Sequence, residues 1–225
     1  MRGKEHTVED MRIIRVTGRG QMKLRPDTTE ITMTISGVYR EYADALEHSA
    51  SDTETLRDAL VPFGFARTDL KTLQFGVEPE YESYQDQGVY RSRFAGYRFR
   101  HVLKVRFASD NALLGKVLYA LAHSAAEPEL QIGYTVRDTE AAKNLLLEKA
   151  VADAKAKAEV LSKAAGVTLK AIRSIDYSWG SMEFAVRPMS RMLCDAESCN
   201  DSVHLDIEPN DIEANDTVTV VWEIA

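Results

Sequence analysis

The sequence predicts an α+β fold with a mixed or antiparallel sheet, and three observations carry that expectation. Residues 28–36 alternate apolar and polar side chains with the two-residue period of a half-buried strand. Residues 72–107 repeat that alternation twice around a polar tip, as a hairpin does. Residues 139–165 carry small apolar residues at helical spacing instead.

Taken in order, Ile13 to Gly18 reads as a short strand, and Gly18-Arg19-Gly20 permits a turn after it. Pro26-Asp27 opens the next strand, with Ile31, Met33 and Ile35 on one face and Thr32, Thr34 and Ser36 on the other. Residues 41–61 look helical through Tyr42, Leu46, Thr53, Leu56 and Leu60, and Pro62 and Gly64 end the run. In the first hairpin arm Leu73, Phe75, Val77 and Tyr81 alternate with Thr72, Gln74, Glu78 and Glu80. In the second, Tyr97, Phe99, Leu103, Val105 and Phe107 alternate with Arg98, Arg100, Lys104 and Arg106, and Gln85–Gly88 forms the tip. Acids on one arm thus oppose bases on the other, so Glu78 and Glu80 can neutralise Arg98 and Arg100 and pin the register.

Asp110 is a good N-cap for a second helix bearing Leu114, Val117, Leu118 and Leu121, and a strand at about 130–136 follows. Residues 28–136 therefore run β-α-β-β-α-β, the order of a split, ferredoxin-like unit, to which the strand at 13–18 is an addition. The long helix comes next. Leu147, Ala150, Val151, Ala154, Ala158, Leu161 and Ala165 fall on one stripe, Asp138 caps the start and Gly166 the end. Asp153→Lys157 and Glu159→Lys163 are favourable pairs on its wet side. Some 27 residues span roughly 40 Å, longer than a small sheet is wide, so an overhang is available to a second subunit. C-terminal strands at about 169–178 and 216–224 complete the fold, the last with Val218, Val220, Trp222 and Ile224 on one face.

Composition narrows the function classes. The chain is 44% hydrophobic and 28% charged, ordinary for a globular protein. Its net charge of −7 is concentrated between Asp195 and Asp216, where eight acids occur without one Lys or Arg. The remainder is close to neutral, which disfavours nucleic acid as a partner. No apolar run is long enough for a membrane-spanning helix, and the first ten residues lack the apolar stretch of a signal peptide. The expectation is a cytoplasmic chain as written, or a periplasmic one if a leader precedes it, with a flexible extension at 1–11.

Chemical motifs are few. Gly18-Arg19-Gly20 fails as a phosphate loop, because Lys23 stands at the third glycine's place and a strand follows instead of a helix. The histidines His6, His48, His101, His123 and His204 fall in no hydrolase or zinc-protease motif. His101 interrupts an apolar strand face, as a hydrogen-bonded core imidazole would, and His123 stands where it can complement a helix dipole. Cys194, Cys199 and His204 place metal-capable ligands in a row, giving a thiol- or metal-sensing alternative; their spacing is looser than that of structural zinc sites. The run Asp206, Glu208, Asp211 and Glu213 fails as a calcium loop, with Asp211 where glycine is required. Met182, Met189 and Met192, with Trp179 and Phe184, lie in a long polar and acidic loop at about 180–215 and offer soft apolar contacts to a partner. No cofactor is expected.

Ile14-Arg15-Val16-Thr17-Gly18-Arg19-Gly20, followed by Pro26-Asp27 and an alternating strand, resembles the opening of the SIMPL family. The similarity continues through Gly64, Leu73 and Tyr97 and is strongest over Ala150-x3-Ala154-x2-Lys157-Ala158-x2-Leu161-x4-Gly166. Ile207-x-Pro209-Asn210-Asp211-Ile212 and Val218-Thr219-Val220 look like its closing strands. The resemblance implies a single SIMPL-like domain over residues 12–225 and an oligomer-forming α+β protein. It also implies kinship with periplasmic proteins linked to oxidative-stress defence and with a kinase-associated signalling protein. It supplies no catalytic residues, and the Cys194/Cys199 pair lies outside its pattern.

The leading expectation is therefore a non-enzymatic protein, self-associating as a homo-oligomer or binding a protein partner. Its contact candidates are Leu147, Val151, Ala154, Ala158 and Leu161 on the long helix and Met182, Met189 and Met192 in the loop. The alternative is a small-ligand or anion-binding protein, or an enzyme, using the strand face of Arg98, Arg100 and His101.

Overall fold

The computed structural model describes residues 12–86, 88–177, 184–186 and 208–225. Its strands are β1 (Ile13–Leu24), β2 (Thr28–Tyr39), β3 (Lys71–Asp86), β4 (Val89–Ala108), β5 (Glu129–Thr135), β6 (Leu169–Asp176), β7 (Ala185–Val186) and β8 (Ile212–Ile224). The helices are α1 (Tyr42–Leu60), α2 (Asn111–Ala122) and α3 (Thr139–Ala165), with a 3-10 turn at Val61–Phe63. The fold is α+β with antiparallel sheets, as the patterning indicates. Two compact units share the chain: β2 to β5 with β7 in one, β1, α3, β6 and β8 in the other. Because the second is assembled from separated segments, no point in the sequence marks a boundary between them.

The unit formed by the middle of the chain has the strand order β3-β4-β2-β5-β7. Its first four strands and two helices follow the ferredoxin-like order and pairing. Ile31, Met33 and Ile35 lie opposite Val105, Leu103 and His101, and the aliphatic members of that set are buried. Leu56 and Leu60 of α1 and Leu114, Val117 and Leu121 of α2 close this face into one core. Asp110 caps α2 as expected, its carboxylate accepting from the backbone N–H groups of Ala112 and Leu113. On α1 the buried positions are Ala45, Ser49, Thr53, Leu56 and Leu60, whereas Tyr42 and Leu46 stand exposed. The four-residue step from Ala45 to Thr53 thus selects a small polar ridge that hydropathy passes over.

In the second unit the sheet order is β1-β8-β6. β1 does not turn at Gly18-Arg19-Gly20: it pairs with β8 without interruption from Ile13↔Glu223 to Leu24↔Ile212. The glycines serve the packing of α3 instead. A β-carbon on Gly18 would stand 2.0 Å from the Ala150 carbonyl oxygen, and one on Gly20 2.1 Å from that of Leu146. Helix backbone thus rests directly on strand backbone, which only glycine permits. Along α3 the buried residues are Ala142, Leu146, Ala150, Ala154, Ala158 and Ser162, each four after the last. That is a single i±4 ridge, narrower than the stripe expected from the sequence. Leu147 and Val151 flank it half-buried, while Leu161 is 49% exposed. Val16, Val218, Val220 and Trp222 form the opposing layer.

Polar ties fix the helix to β1. Asp153 accepts the Arg19 backbone N–H at 2.7 Å, pairs with Lys157 at 2.7 Å, and Lys157 reaches the Thr17 carbonyl at 3.4 Å. Asp138 caps the start by accepting from the Ala141 N–H, and Gly166 ends the helix at a φ of 69°. Glu159 lies within reach of Lys155, four residues before it, at 4.0 Å.

Candidate functional site

Two surfaces of the ferredoxin-like unit concentrate unusual side chains. The first is the far end of the β3–β4 hairpin. Pairing of β4 with β2 stops at Tyr97↔Tyr39, yet β3 and β4 continue together to Asp86↔Val89. Residues 81–86 and 89–94 therefore form a two-stranded ribbon with no third strand beside it among the described residues. Such ribbons bury little and are marginal alone.

The two faces of this arm differ. The outer face is a charge ladder: Glu80 takes a bidentate pair of hydrogen bonds from Arg98 at 2.8 and 2.9 Å, Glu82 pairs with Arg93 at 2.5 Å, and Asp86 lies 3.5 Å from Arg91. Arg98 holds the Glu80 carboxyl below the usual range by that hydrogen bond. Arg98 is thus committed to the ladder, through Glu80 one step along from its register partner Glu78. The inner face is aromatic. Edge-on contacts run Tyr42–Tyr97 at 5.5 Å, Tyr97–Phe94 at 5.3 Å and Phe94–Tyr81 at 5.8 Å, carrying a row of rings from α1 onto the arm. Phe94 is 49%, Tyr81 60% and Tyr90 79% exposed. Edge-to-face geometry is favourable between rings, but it leaves their outward faces in water.

The second surface is a cleft of about 430 Å³ between α1 and the start of the hairpin, lined by Leu46, Ala50, Glu54, Arg57 and Phe75 around a polar floor. His101 on β4 is the centre of that floor. Its Nδ1 lies 3.2 Å from Thr53 Oγ1 and 3.3 Å from Ser49 Oγ, both buried on α1, and its Nε2 lies 2.8 Å from Thr72 Oγ1 on β3. Thr53 donates its own hydroxyl hydrogen to the Ser49 carbonyl at 2.7 Å. Its oxygen can therefore only accept from the ring, which places the imidazole hydrogen on Nδ1 and leaves Nε2 to accept from Thr72. Burial, followed by the charge of Arg57, pushes the His101 pKa below the ordinary 6.5.

A β-bulge builds this floor. The β3 register slips between Thr72 and Gln74, leaving Leu73 without a partner, so Thr72 opposite Leu103 and Phe75 opposite His101 share the helix-facing side. Strict alternation would have turned Thr72 to the outer face with Glu78 and Glu80. The alternation similarly divides the expected trio: His101 faces α1, whereas Arg98 and Arg100 lie on the opposite face of β4.

Of the expected contact residues on α3, Ala154 and Ala158 are spent in the core of their own unit, Leu147 and Val151 are half-buried, and Leu161 is exposed. Met182, Met189, Met192, Cys194, Cys199 and His204 lie outside the described residues. Among the described residues no group of three or more His, Cys, Asp or Glu side chains is placed to hold a metal. No described helix is long and apolar enough to cross a membrane. Sequence reasoning did not name Ser49, Tyr90 or Phe94, and it named Thr53 and Thr72 only as positions on a helix face and a strand face. Ser49 and Thr53 had a signal in their i,i+4 spacing beside small residues, and the arm had one in the recurrence of Tyr81, Tyr84, Tyr90, Phe94 and Tyr97.

Comparison with known proteins bears on what this architecture is. Residues 14–222 match the family described as SIMPL, a protein of unknown function (DUF541), and the chain belongs to that family. It is 26% identical over 213 residues to the uncharacterized protein YggE of Edwardsiella ictaluri (strain 93-146), covering 93% of this chain and 85% of that one. Among solved structures, the regulatory subunit of aspartate kinase from Thermus flavus aligns over 93% of this chain and 89% of its own, at 11% identity and a TM-score of 0.16.

Proposed function

We propose that this member of the SIMPL family works through protein–protein association, with a second copy of the chain as its first partner and the aromatic face of the β3–β4 arm as the contact. The carrying observation is the row Tyr97, Phe94 and Tyr81, with Tyr90 beyond it, on a ribbon that its own sheet leaves uncovered. Aromatic side chains are enriched at interface centres because they bury large areas with few rotatable bonds.

The charge pattern favours this face over the strand edge. β3 is an edge strand, and Pro79 removes a donor from it. In a two-fold antiparallel pairing of two β3 edges, Glu78, Glu80 and Glu82 would oppose one another, which is destabilising. A face-to-face contact keeps each acid on its own arginine and buries the rings with the uncharged Ser83, Ser92 and Gln85 between and beside them. Substituting Tyr81, Tyr90 and Phe94 together with serine and measuring the mass in solution tests the reading.

A small-ligand reading is supported by one specific observation, the His101 cleft with its ordered hydroxyls. It moves from the arginine-bearing face of β4 to the face beneath α1.

A further inference from the structure

The floor of the His101 cleft has the arrangement of an activated hydroxyl. Thr72 Oγ1 is 2.8 Å from an imidazole nitrogen that carries a free lone pair. The opposite ring nitrogen is held by Thr53 and Ser49, which fix the ring orientation and the tautomer together. A nucleophile, a base and a group that orients the base are the three parts that hydroxyl catalysis needs. Thr72 is the exposed member of this network, while Ser49 and Thr53 are buried. Leu46, Ala50 and Phe75 supply an apolar wall of a size suited to a short acyl chain. Arg57 also lines the cleft, where its guanidinium pairs with Glu54.

We propose that Thr72 is the nucleophile and His101 the general base of an acyl-transfer site that takes small esters with short apolar acyl groups. This activity goes beyond the association reading and uses a different surface. In the first step the Thr72 Oγ1–acyl bond forms and the ester C–O bond breaks. The hydroxyl proton passes to His101 Nε2 and then to the departing alcohol. In the second step water attacks the acyl-threonine, again giving a proton to Nε2, which returns it to Thr72 as the carboxylic acid leaves. Ser49 and Thr53 are positioning residues, because their hydroxyls bond the ring nitrogen opposite the one that faces Thr72. A neutral imidazole is required, and the direction of the His101 shift keeps it neutral at pH 7. The other ionisable groups lining the cleft are Glu54 and Arg57, both from α1, and they pair with each other.

The experiment is incubation of the full chain with p-nitrophenyl butyrate, followed by nitrophenolate release and mass spectrometry of the protein. The expected result is a burst of nitrophenolate, with one butyryl group per chain trapped by acid quenching before the hydrolytic step and mapped to Thr72. It is lost in Thr72→Val, kept in Thr72→Ser, and formed on the order of 100-fold more slowly in His101→Gln. The acylation rate of the unaltered chain should rise with pH through one step lying below the ordinary histidine range. Far-ultraviolet circular dichroism of each variant separates loss of chemistry from loss of fold. Butyrylation confined to lysines or other hydroxyls, or an unchanged rate in Thr72→Val, overturns the proposal.

Discussion

Gly18 lies so close beneath Ala150 that a β-carbon on it would stand 2.0 Å from the Ala150 carbonyl oxygen. The nearest atoms are the Ala150 carbonyl oxygen, the Ala154 backbone nitrogen and the Ala154 β-carbon, none of which can rotate away as a longer side chain can. Gly18→Ala should therefore lift α3 from β1 and destabilise the unit by about 1–3 kcal/mol or more. Chemical denaturation checks this, with Gly76→Ala as the control, since nothing lies within 4 Å of a β-carbon there.

Asp153 should give that same contact a pH dependence. Its pKa is held below 3.8, first by its hydrogen bond with Lys157 and then by the Arg19 N–H. A carboxylate with a lowered folded value stabilises fully above its unfolded value, and loses that contribution as pH falls through the folded one. The difference in melting temperature between the unaltered chain and Asp153→Asn should be constant near neutrality and shrink below about pH 4. A gap that persists unchanged in acid would show that the carboxylate charge is not what matters.

His101 should act in the same direction but in a higher window. Its folded value lies below 6.5 because burial and Arg57 disfavour the imidazolium. The neutral ring therefore contributes stability that is complete above the unfolded value and declines as pH falls through the folded one. Replacement by alanine leaves Ser49 and Thr53 without the ring and should cost about 1–3 kcal/mol at pH 7, less at pH 5. Urea titrations of both proteins at the two pH values measure it.

Removing Leu73 tests the bulge. Without the extra residue, Thr72 should turn to the outer face, and the Nε2 hydrogen bond of 2.8 Å should be lost. The imidazole resonances of His101, followed by NMR, should then report the loss of the Thr72 partner, while the β4–β2 register remains.

Much of the scaffold was legible because periodicity and caps are local. The alternation of Ile31, Met33 and Ile35, the Asp110 and Asp138 caps and the stop at Gly166 all read directly from neighbouring residues. What escaped depends on partners distant in sequence. Gly18 and Gly20 suggest a turn until Ala150 and Leu146 are known to lie on them. Thr72 belongs with the acids of its arm until one unpaired leucine shifts the register. Phe94 and Tyr90 look like ordinary strand residues until the sheet ends before reaching them.

The arm carries the central claim, and sedimentation equilibrium of the 25.2 kDa chain tests it most directly. The unaltered protein should sediment above its monomer mass at micromolar concentration, and the variant with Tyr81, Tyr90 and Phe94 replaced by serine should fall to the monomer with its melting temperature preserved. A strictly monomeric unaltered chain, or a variant that assembles as well as its parent, would contradict the account.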